Sequence, residues 1–172
     1  PTPDLPPGWQ TLDFPDLALS LYAPPAYAAA NLSPTHLDLL ESGGPGSGMY
    51  VTHDGGDSWE QRTEEDGLPQ GPLGRMAFSF AASDPDRVYA LVEAEKSALL
   101  RSEDGGRSWN RVNEEHNVAD RPFYYADIRV DPHDPNRVYN LGSSLTMSED
   151  GGRTFRRIDG GVHPDHHAMW ID

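Results

Sequence analysis

One eight-residue segment occurs three times in this chain, and no other feature of the sequence restricts the possible fold as strongly. The copies share the pattern Ser/Thr-x-Asp-Gly-Gly-x-Ser/Thr-aromatic and lie at residues 52–59, 102–109 and 148–155. The aspartates Asp54, Asp104 and Asp150 are therefore separated by 50 and then 46 positions. Self-similarity at a period of tens of residues indicates a repeat architecture, in which each repeat is one supersecondary unit.

A second motif keeps the same register as the first. Residues 84–91 read Asp-Pro-Asp-Arg-Val-Tyr-Ala-Leu, and residues 134–141, 50 positions later, read Asp-Pro-Asn-Arg-Val-Tyr-Asn-Leu. About one period earlier, degenerate copies of the two motifs occur at 33–40 and at 4–9. Because two independent motifs share one period, the repeat is a property of the whole chain.

Each repeat is predicted to contain four short strands. In the best-defined unit these are residues 76–80, 87–92, 97–102 and 108–112. The chain holds 17 glycines and 16 prolines, and this density of turn residues excludes long helices. Four antiparallel strands per unit form the blade of a β-propeller, so the predicted fold class is all-β, a fragment of a larger propeller.

The repeat also predicts the domain organisation, a single partial propeller over 1–172. The tryptophans Trp9, Trp59 and Trp109 are evenly spaced, so the chain is predicted to begin inside one repeat and to stop inside another. Three units are fewer than the roughly four to eight blades of a propeller, so we expect further blades or self-association. The predicted segments are the end of a preceding blade (1–21), three blades (22–70, 71–120 and 121–163) and the first strand of a following blade (164–172).

The repeated segment is predicted to be structural, since a catalytic group would not need to recur in every blade. Two glycines supply the positive φ angles of a tight turn, and an aspartate can accept hydrogen bonds from the amides of that turn. The aromatic residue that follows is expected to pack between blades. The residues assigned this role are Asp54, Gly56, Trp59, Asp104, Gly106, Trp109, Asp150, Gly152 and Phe155.

These segments resemble the Asp-box, or bacterial neuraminidase repeat, of sialidases, xyloglucanase-type glycoside hydrolases and the sortilin ectodomain. More narrowly, four segments resemble large bacterial sortilin-like proteins labelled as glycosyl hydrolases. They are residues 43–50, 68–75, 121–125 and 165–172. The resemblance implies a propeller that binds a glycan or a peptide, or alternatively a glycoside hydrolase, and the sequence leaves open whether the chain is an enzyme. Function has to be argued from a site, because one fold serves many functions.

Charge and composition exclude some partners. The chain has 28 acidic and 13 basic residues, a formal net charge of -15, which repels nucleic acid and anionic membranes. There is no cysteine, so neither a disulfide framework nor a thiolate site exists, and no cofactor is predicted. No apolar run reaches the length of a membrane span, and none is predicted to insert. We expect an extracytoplasmic location, periplasmic or secreted, in a bacterium.

The candidate ligand site is the mouth of the central channel, which the first strand of each blade lines. The repeat puts Arg75, Tyr125 and His166 at equivalent positions just before those strands, and these positions differ between blades whereas the turns repeat. Divergence inside a repeat is what a ligand-binding rim would show. The predicted ligand-binding residues are Arg75, Arg121, Tyr124, Tyr125, His166 and His167.

Two kinds of chemistry are conceivable at this rim. The only acidic candidates for glycoside hydrolysis near the channel mouth are Asp127 and Asp165, although the sequence cannot show whether two carboxyls face each other. His163, Asp165 and His167 would share one face of an extended segment and could bind a divalent metal. A hydrogen-bonded cluster that contacts ligand or ties two blades together is favoured over a metal site, so no metal is predicted. Glu93 and Glu95 are assigned to an outer hairpin.

Overall fold

The computed structural model describes residues 47–115, residue 118 and residues 126–171. The strands within these ranges form one two-stranded and two four-stranded antiparallel sheets. A short 3₁₀ turn, Glu64–Asp66, accompanies them. The strands are β1 (Met49–Val51), β2 (Glu60–Arg62), β3 (Met76–Ala81), β4 (Asp84–Val92), β5 (Ala98–Ser102), β6 (Asn110–Asn113), β7 (Asp127–Val130), β8 (Val138–Leu141), β9 (Leu145–Ser148) and β10 (Arg156–Arg157).

The predicted fold class is confirmed. Strands β3 to β6 and strands β7 to β10 each form a sheet whose spatial order follows the sequence, as in a propeller blade. We call these sheets the first and the second blade, and we call β1 with β2 the leading hairpin. The domain boundaries, including a further blade from 164, remain predictions, and residues 164–171 lie outside the three sheets. The degenerate repeats at 4–9 and 33–40 lie outside the described residues.

The two blades alternate their side chains between two apolar layers. Trp109, Leu100 and Val88 pack with Met49 of the leading hairpin in one layer. Tyr89, Leu91 and Leu99 point to the other side of the first blade and pack with the second blade through Ile128, Val130 and Val138. Because successive residues of a strand face opposite sides of the sheet, the first blade contributes one of its faces to each of the two layers. The core therefore lies between blades.

Hydrogen bonds join the first blade to the second along one row of cross-strand neighbours, Ser79, Tyr89 and Arg101. The Ser79 hydroxyl accepts the N–H of Val130 at 2.9 Å, and the Tyr89 hydroxyl donates to the carbonyl of Pro135 at 2.8 Å. Arg101 donates to the carbonyl of Gly151 at 3.4 Å. We call this set the Tyr89 row. Burial raises the pKa of the Tyr89 hydroxyl, which therefore stays protonated and donates.

Each Asp-Gly-Gly segment forms a turn held by its aspartate. In the first blade one Asp104 oxygen accepts the N–H groups of Arg107 and Ser108 at 2.9 Å, and the other accepts the Ser108 hydroxyl at 2.6 Å. Asp150 and Asp54 bond their own turns in the same manner. Burial opposes ionisation of Asp104, but the bonds from Ser102 and Ser108 outweigh it and lower its pKa to about 2. These carboxylates are acceptors in turns.

The turns also contact the preceding sheet. Asn113 donates its side-chain amide to the carbonyl of Arg153 at 2.9 Å, and Arg62 of the leading hairpin donates to the carbonyl of Arg107 at 3.0 Å. Gly67 has φ 99°, and a Cβ built there would lie 1.8 Å from the carbonyl oxygen of Trp109. Glycine is therefore required where the leading hairpin meets the first blade.

Among the described residues, no helix is long and apolar enough to cross a membrane.

Candidate ligand-binding rim

The start of β3 is one part of the predicted rim, and Arg75 lies there half-buried. Its backbone pairs with Glu93, which follows β4: the Glu93 N–H donates to the Arg75 carbonyl at 2.9 Å, and Gly74 donates to the Glu93 carbonyl at 2.8 Å. The Glu93 carboxylate folds back and accepts the Arg75 N–H at 3.0 Å. The backbone of Gly74 and Arg75 is thus held by both the backbone and the side chain of Glu93.

The sequence analysis missed Glu93, which it assigned to an outer hairpin. The residue does begin the connection from β4 to β5, but its carboxylate lies over the start of the first strand. A Cβ built on Gly74 would lie 2.3 Å from that carboxylate. The only signal in the sequence was therefore Gly74, whose missing side chain leaves room for an acid that is distant in sequence.

The second described part of the rim is the segment that carries Asp165, His166 and His167. The His166 N–H donates to the carbonyl of Gly142 at 3.1 Å, and the Asp165 N–H donates to that of Ser143 at 3.4 Å. Gly142 and Ser143 follow β8 and are equivalent to Val92, the last residue of β4, and to Glu93, which comes directly after that strand. The segment therefore lies at the end of the second blade that corresponds to the Arg75 end of the first.

The sequence predicted that this segment is extended throughout, but in the structure it is not continuously extended. Asp165 has φ 94° and is the non-glycine residue with positive φ in the described part of the chain. The left-handed conformation breaks the simple alternation of faces at this point. The carboxylate of Asp165 nevertheless lies 3.5 Å from the His167 ring, so these two side chains do share a side.

His166 packs inward next to an ion pair between the exposed Arg157 and the buried Asp159. Its Nε2 atom is buried without a hydrogen-bond partner, and the ring lies close enough to Asp159 to act on its charge. Arg157 binds the Asp159 carboxylate through Nε at 2.6 and 2.8 Å. This bond, opposed by burial and assisted by His166, lowers the pKa of Asp159. The sequence analysis did not identify Arg157 or Asp159 as neighbours of the histidine.

The two acidic candidates have close partners of their own. Asp127 is the first residue of β7, and its Oδ1 accepts the Ile128 N–H at 2.8 Å and Arg129 Nη1 at 2.7 Å. Asp165 has the His167 ring as its neighbour. Asp127 is therefore held in an ion pair, and its Oδ1 atom serves as a hydrogen-bond acceptor.

Three of the six predicted ligand residues, Arg121, Tyr124 and Tyr125, lie outside the described residues. The convergence of Arg75, Tyr125 and His166 around one axis thus stays a prediction. Within the described ranges, no group of three or more histidine, aspartate, glutamate or cysteine side chains could hold a metal ion. His163 bonds through its ring to the neighbouring Pro164 carbonyl at 2.5 Å.

No protein-family model matches this chain, and no curated protein sequence matches it. Among solved structures, YCF48 bound to D1 peptide is similar at 18% identity and TM-score 0.45, over 64% of this chain and 33% of that chain. YCF48 from Cyanidioschyzon merolae is similar at 22% identity and TM-score 0.48, over 64% and 32%. The GH74 xyloglucanase from Xanthomonas campestris is similar at 24% and 0.41, over 66% and 14%. The chain thus spans a third or less of these β-propeller proteins, and the likeness is one of fold.

Proposed function

We propose that this chain is a segment of a ligand-binding β-propeller, and that a glycan or a peptide binds where the first strands of the blades begin. The observation that carries the proposal is the strained segment at Asp165. A non-glycine residue in the left-handed region costs free energy, and such residues cluster at ligand clamps. Here the strain exposes Asp165 and His167 beside one another, while His166 anchors the segment to Gly142.

The side chains at the rim suit hydrogen bonding to a polar ligand. Arg75 supplies a planar cation that can bind a peptide carboxylate or sugar hydroxyls, and its backbone is fixed by Glu93. The exposed ring of His167 and carboxylate of Asp165 supply a donor and an acceptor. Preorganised groups of this kind bind with little loss of side-chain entropy, which supports a binding role.

The proposal extends to the family and the location. The three turns have one set of aspartate bonds in common, which supports their identification as Asp-boxes of a bacterial sortilin-like protein. Such a protein would be extracytoplasmic, periplasmic or secreted. Fractionation of the source cells tests the location: recovery of the protein with cytoplasmic markers alone would contradict it.

A glycoside hydrolase is the second candidate, and the position of Asp127 at the start of a first strand favours it. Binding is the better supported function because the Oδ1 atom of Asp127 already accepts bonds from the Ile128 N–H at 2.8 Å and from Arg129 at 2.7 Å. Release of reducing sugar from a panel of polysaccharides separates the two. Hydrolysis that is lost in Asp127→Asn would establish the enzyme.

The binding function is tested on glycan and peptide arrays with the complete 172-residue chain. We expect Arg75→Ala and His167→Ala each to weaken binding about tenfold, the effect of a charge-assisted bond of about 1.4 kcal/mol. Arg111→Ala is the matched control, because Arg111 is an exposed arginine of β6 that bonds Glu114. Equal affinities of the Arg75 and Arg111 variants would contradict the proposed site.

A further inference from the structure

The sequence contains three Asp-Pro bonds, at residues 84–85, 131–132 and 134–135. A bond of this kind can be broken by its own side chain, because the aspartate carboxylate reaches the adjacent main-chain carbonyl carbon by closing a five-membered ring. The leaving group is the tertiary amide nitrogen of proline, which departs readily once it is protonated. Cleavage is therefore fastest where the fold places a proton donor beside that nitrogen, and the three bonds differ in this respect.

The Asp131 carboxylate lies over the bond that joins it to Pro132, in the connection between β7 and β8. Its Oδ1 accepts the N–H of His133 at 2.9 Å, so the carboxylate spans the intervening peptide group. The Asp134 N–H donates to the Asp131 main-chain carbonyl at 3.3 Å. That oxygen gains negative charge when its carbon is attacked, and a donor aimed at it stabilises the charge.

The His133 ring is a proton donor next to this bond. Its Nδ1 lies 3.8 Å from Asp131 Oδ1, and the side chain is 80% exposed, so the ring exchanges protons with solvent. Histidine gains its proton in the mildly acidic range, about pH 5–6. The bond from the His133 N–H, opposed by burial and assisted by Arg137, lowers the pKa of Asp131, which therefore keeps its charge in that range. A charged nucleophile and a protonated acid thus coexist at one peptide bond.

The Asp134–Pro135 bond is a matched comparison in the same turn. The Asp134 Oδ1 accepts the N–H of Asn136 at 3.0 Å, and the Arg137 N–H donates to the Asp134 carbonyl at 3.0 Å. The carboxylate and the carbonyl are therefore bonded as they are at Asp131. The residue after the proline, however, is an asparagine, and its amide cannot act as an acid at these pH values.

Contacts with the first blade fix the turn in place. The Ser83 N–H donates to the Pro132 carbonyl at 3.1 Å, and Arg87 donates to Asn136 Oδ1 at 3.0 Å. The charged groups in and next to the turn, besides His133 itself, are Asp131, Asp134, Arg137, Asp84 and Arg87. Because the turn is held from both blades, the Asp131–Pro132 bond keeps this arrangement only in the folded chain.

We infer that the folded chain cleaves its own Asp131–Pro132 bond in mild acid, with His133 as the general acid. A carboxylate oxygen of Asp131 bonds to the main-chain carbonyl carbon of the same residue, the bond from that carbon to the Pro132 nitrogen breaks, and the nitrogen takes the proton of the His133 ring. The cyclic anhydride that forms takes up one water molecule and opens to an aspartate at the new C-terminus. The products are residues 1–131 and 132–172.

The test is denaturing mass spectrometry of the complete chain after incubation from about pH 4 to about pH 8. We expect the fragments 1–131 and 132–172, formed fastest near about pH 5 and at least about tenfold faster than in chain unfolded by urea at that pH. The bonds at 84–85 and 134–135 should stay intact over the same time, because no acid lies beside them.

Two substitutions exchange the acid between the matched bonds. His133→Asn should slow cleavage about a hundredfold, the lower end of what a general acid contributes, and the exposed position leaves the fold unchanged. Asn136→His should produce a second cleavage, between Asp134 and Pro135. Asn136→Gln is its control and should leave that bond intact. Circular dichroism shows that each variant is folded.

Three results would overturn the inference. The first is a chain that stays intact at every pH, and the second is a His133→Asn variant that is cleaved as fast as the native chain. The third is equal cleavage at the three Asp-Pro bonds, or equal cleavage of folded and unfolded chain, either of which would mean that the bond has only the ordinary acid lability of its dipeptide.

Discussion

The two four-stranded blades carry the same motifs but differ in what covers their outer faces. The Tyr89 row of the first blade makes three hydrogen bonds to backbone groups of the second blade, and Tyr89 is fully buried. The equivalent row of the second blade, formed by the cross-strand neighbours Arg129, Tyr139 and Met147, has no such bonds among the described residues, and Tyr139 is half-buried. The difference shows which parts of a blade are complete in themselves and which depend on a neighbour.

The aspartate bonds of the Asp-Gly-Gly turns are complete within each turn. Asp104 and Asp150 accept the same set of bonds with nearly the same distances, although one blade is covered on its outer face and the other is open. The apolar layers, by contrast, require two blades each. Substitutions in the apolar layers should therefore lower the free energy of unfolding by different amounts in the two blades. Substitutions in the turns should lower it by the same amount in both.

The largest expected difference is between Leu99 and its equivalent Leu145. Leu99 is fully buried under the turn of the second blade, whereas Leu145 is half-buried. We expect Leu99→Ala to lower the free energy of unfolding by about 2–5 kcal/mol and Leu145→Ala by about 1 kcal/mol. Urea unfolding at a dilution where the chain is monomeric measures both. Equal losses would mean that the outer face of the second blade is covered.

Substitution of a turn aspartate should lower the free energy of unfolding by a large amount that is the same in both blades. Replacing Asp104 or Asp150 by alanine leaves two turn amides and two hydroxyls without their acceptor. The expected loss is about 1–3 kcal/mol for either substitution. The same urea titration tests it. A loss in one blade at least twice that in the other would show that the turn draws stability from its neighbour.

The tyrosine hydroxyls give a smaller and more specific comparison. Tyr89→Phe removes the bond to the carbonyl of the half-buried Pro135, so we expect a loss of about 1 kcal/mol. Tyr139→Phe should change stability by less than about 0.5 kcal/mol, as is usual for partly exposed positions.

The loss of stability at acidic pH should differ least between the two blades. The pKa of Asp104 and that of Asp150 are each lowered from 3.8 to about 2, so both carboxylates stabilise the fold fully above about pH 4. That contribution falls as the pH drops from about 4 to about 2, because protons then bind the unfolded chain more readily than the folded one. The thermal midpoint should decrease in this window. Asp104→Asn and Asp150→Asn should flatten the decrease to the same extent.

The order of strands and the turns could be predicted from the sequence because both are local. The strands 76–80, 87–92, 97–102 and 108–112 that the pattern predicts match β3 to β6 to within a few residues. The bonds that the aspartate and serine side chains make within each Asp-Gly-Gly turn span at most four residues, so the eight-residue pattern already contains these partners. Alternation along the strands likewise indicated which side chains enter the layers.

The contacts of the rim could not be predicted, because they join residues that are distant in sequence and do not repeat. Glu93 reaches Arg75 across 18 positions, and the other blade has Ser143 where the first has Glu93. Asp159, equivalent to Asn113, cannot donate to a carbonyl and instead binds Arg157 beside His166. A repeat predicts what its copies share, and the candidate site consists of what they do not share.

The short span of the turn bonds also bears on how such a chain folds and how it arose. Because the side-chain bonds within the turn reach no more than four residues, no long loop has to close before they form, so the turn can form in the earliest steps of folding and set the register of the third and fourth strands. It also requires no compensating change elsewhere when its gene segment is duplicated. A newly copied blade therefore arrives with a working hairpin, and natural selection has only to adjust the face that meets its neighbour.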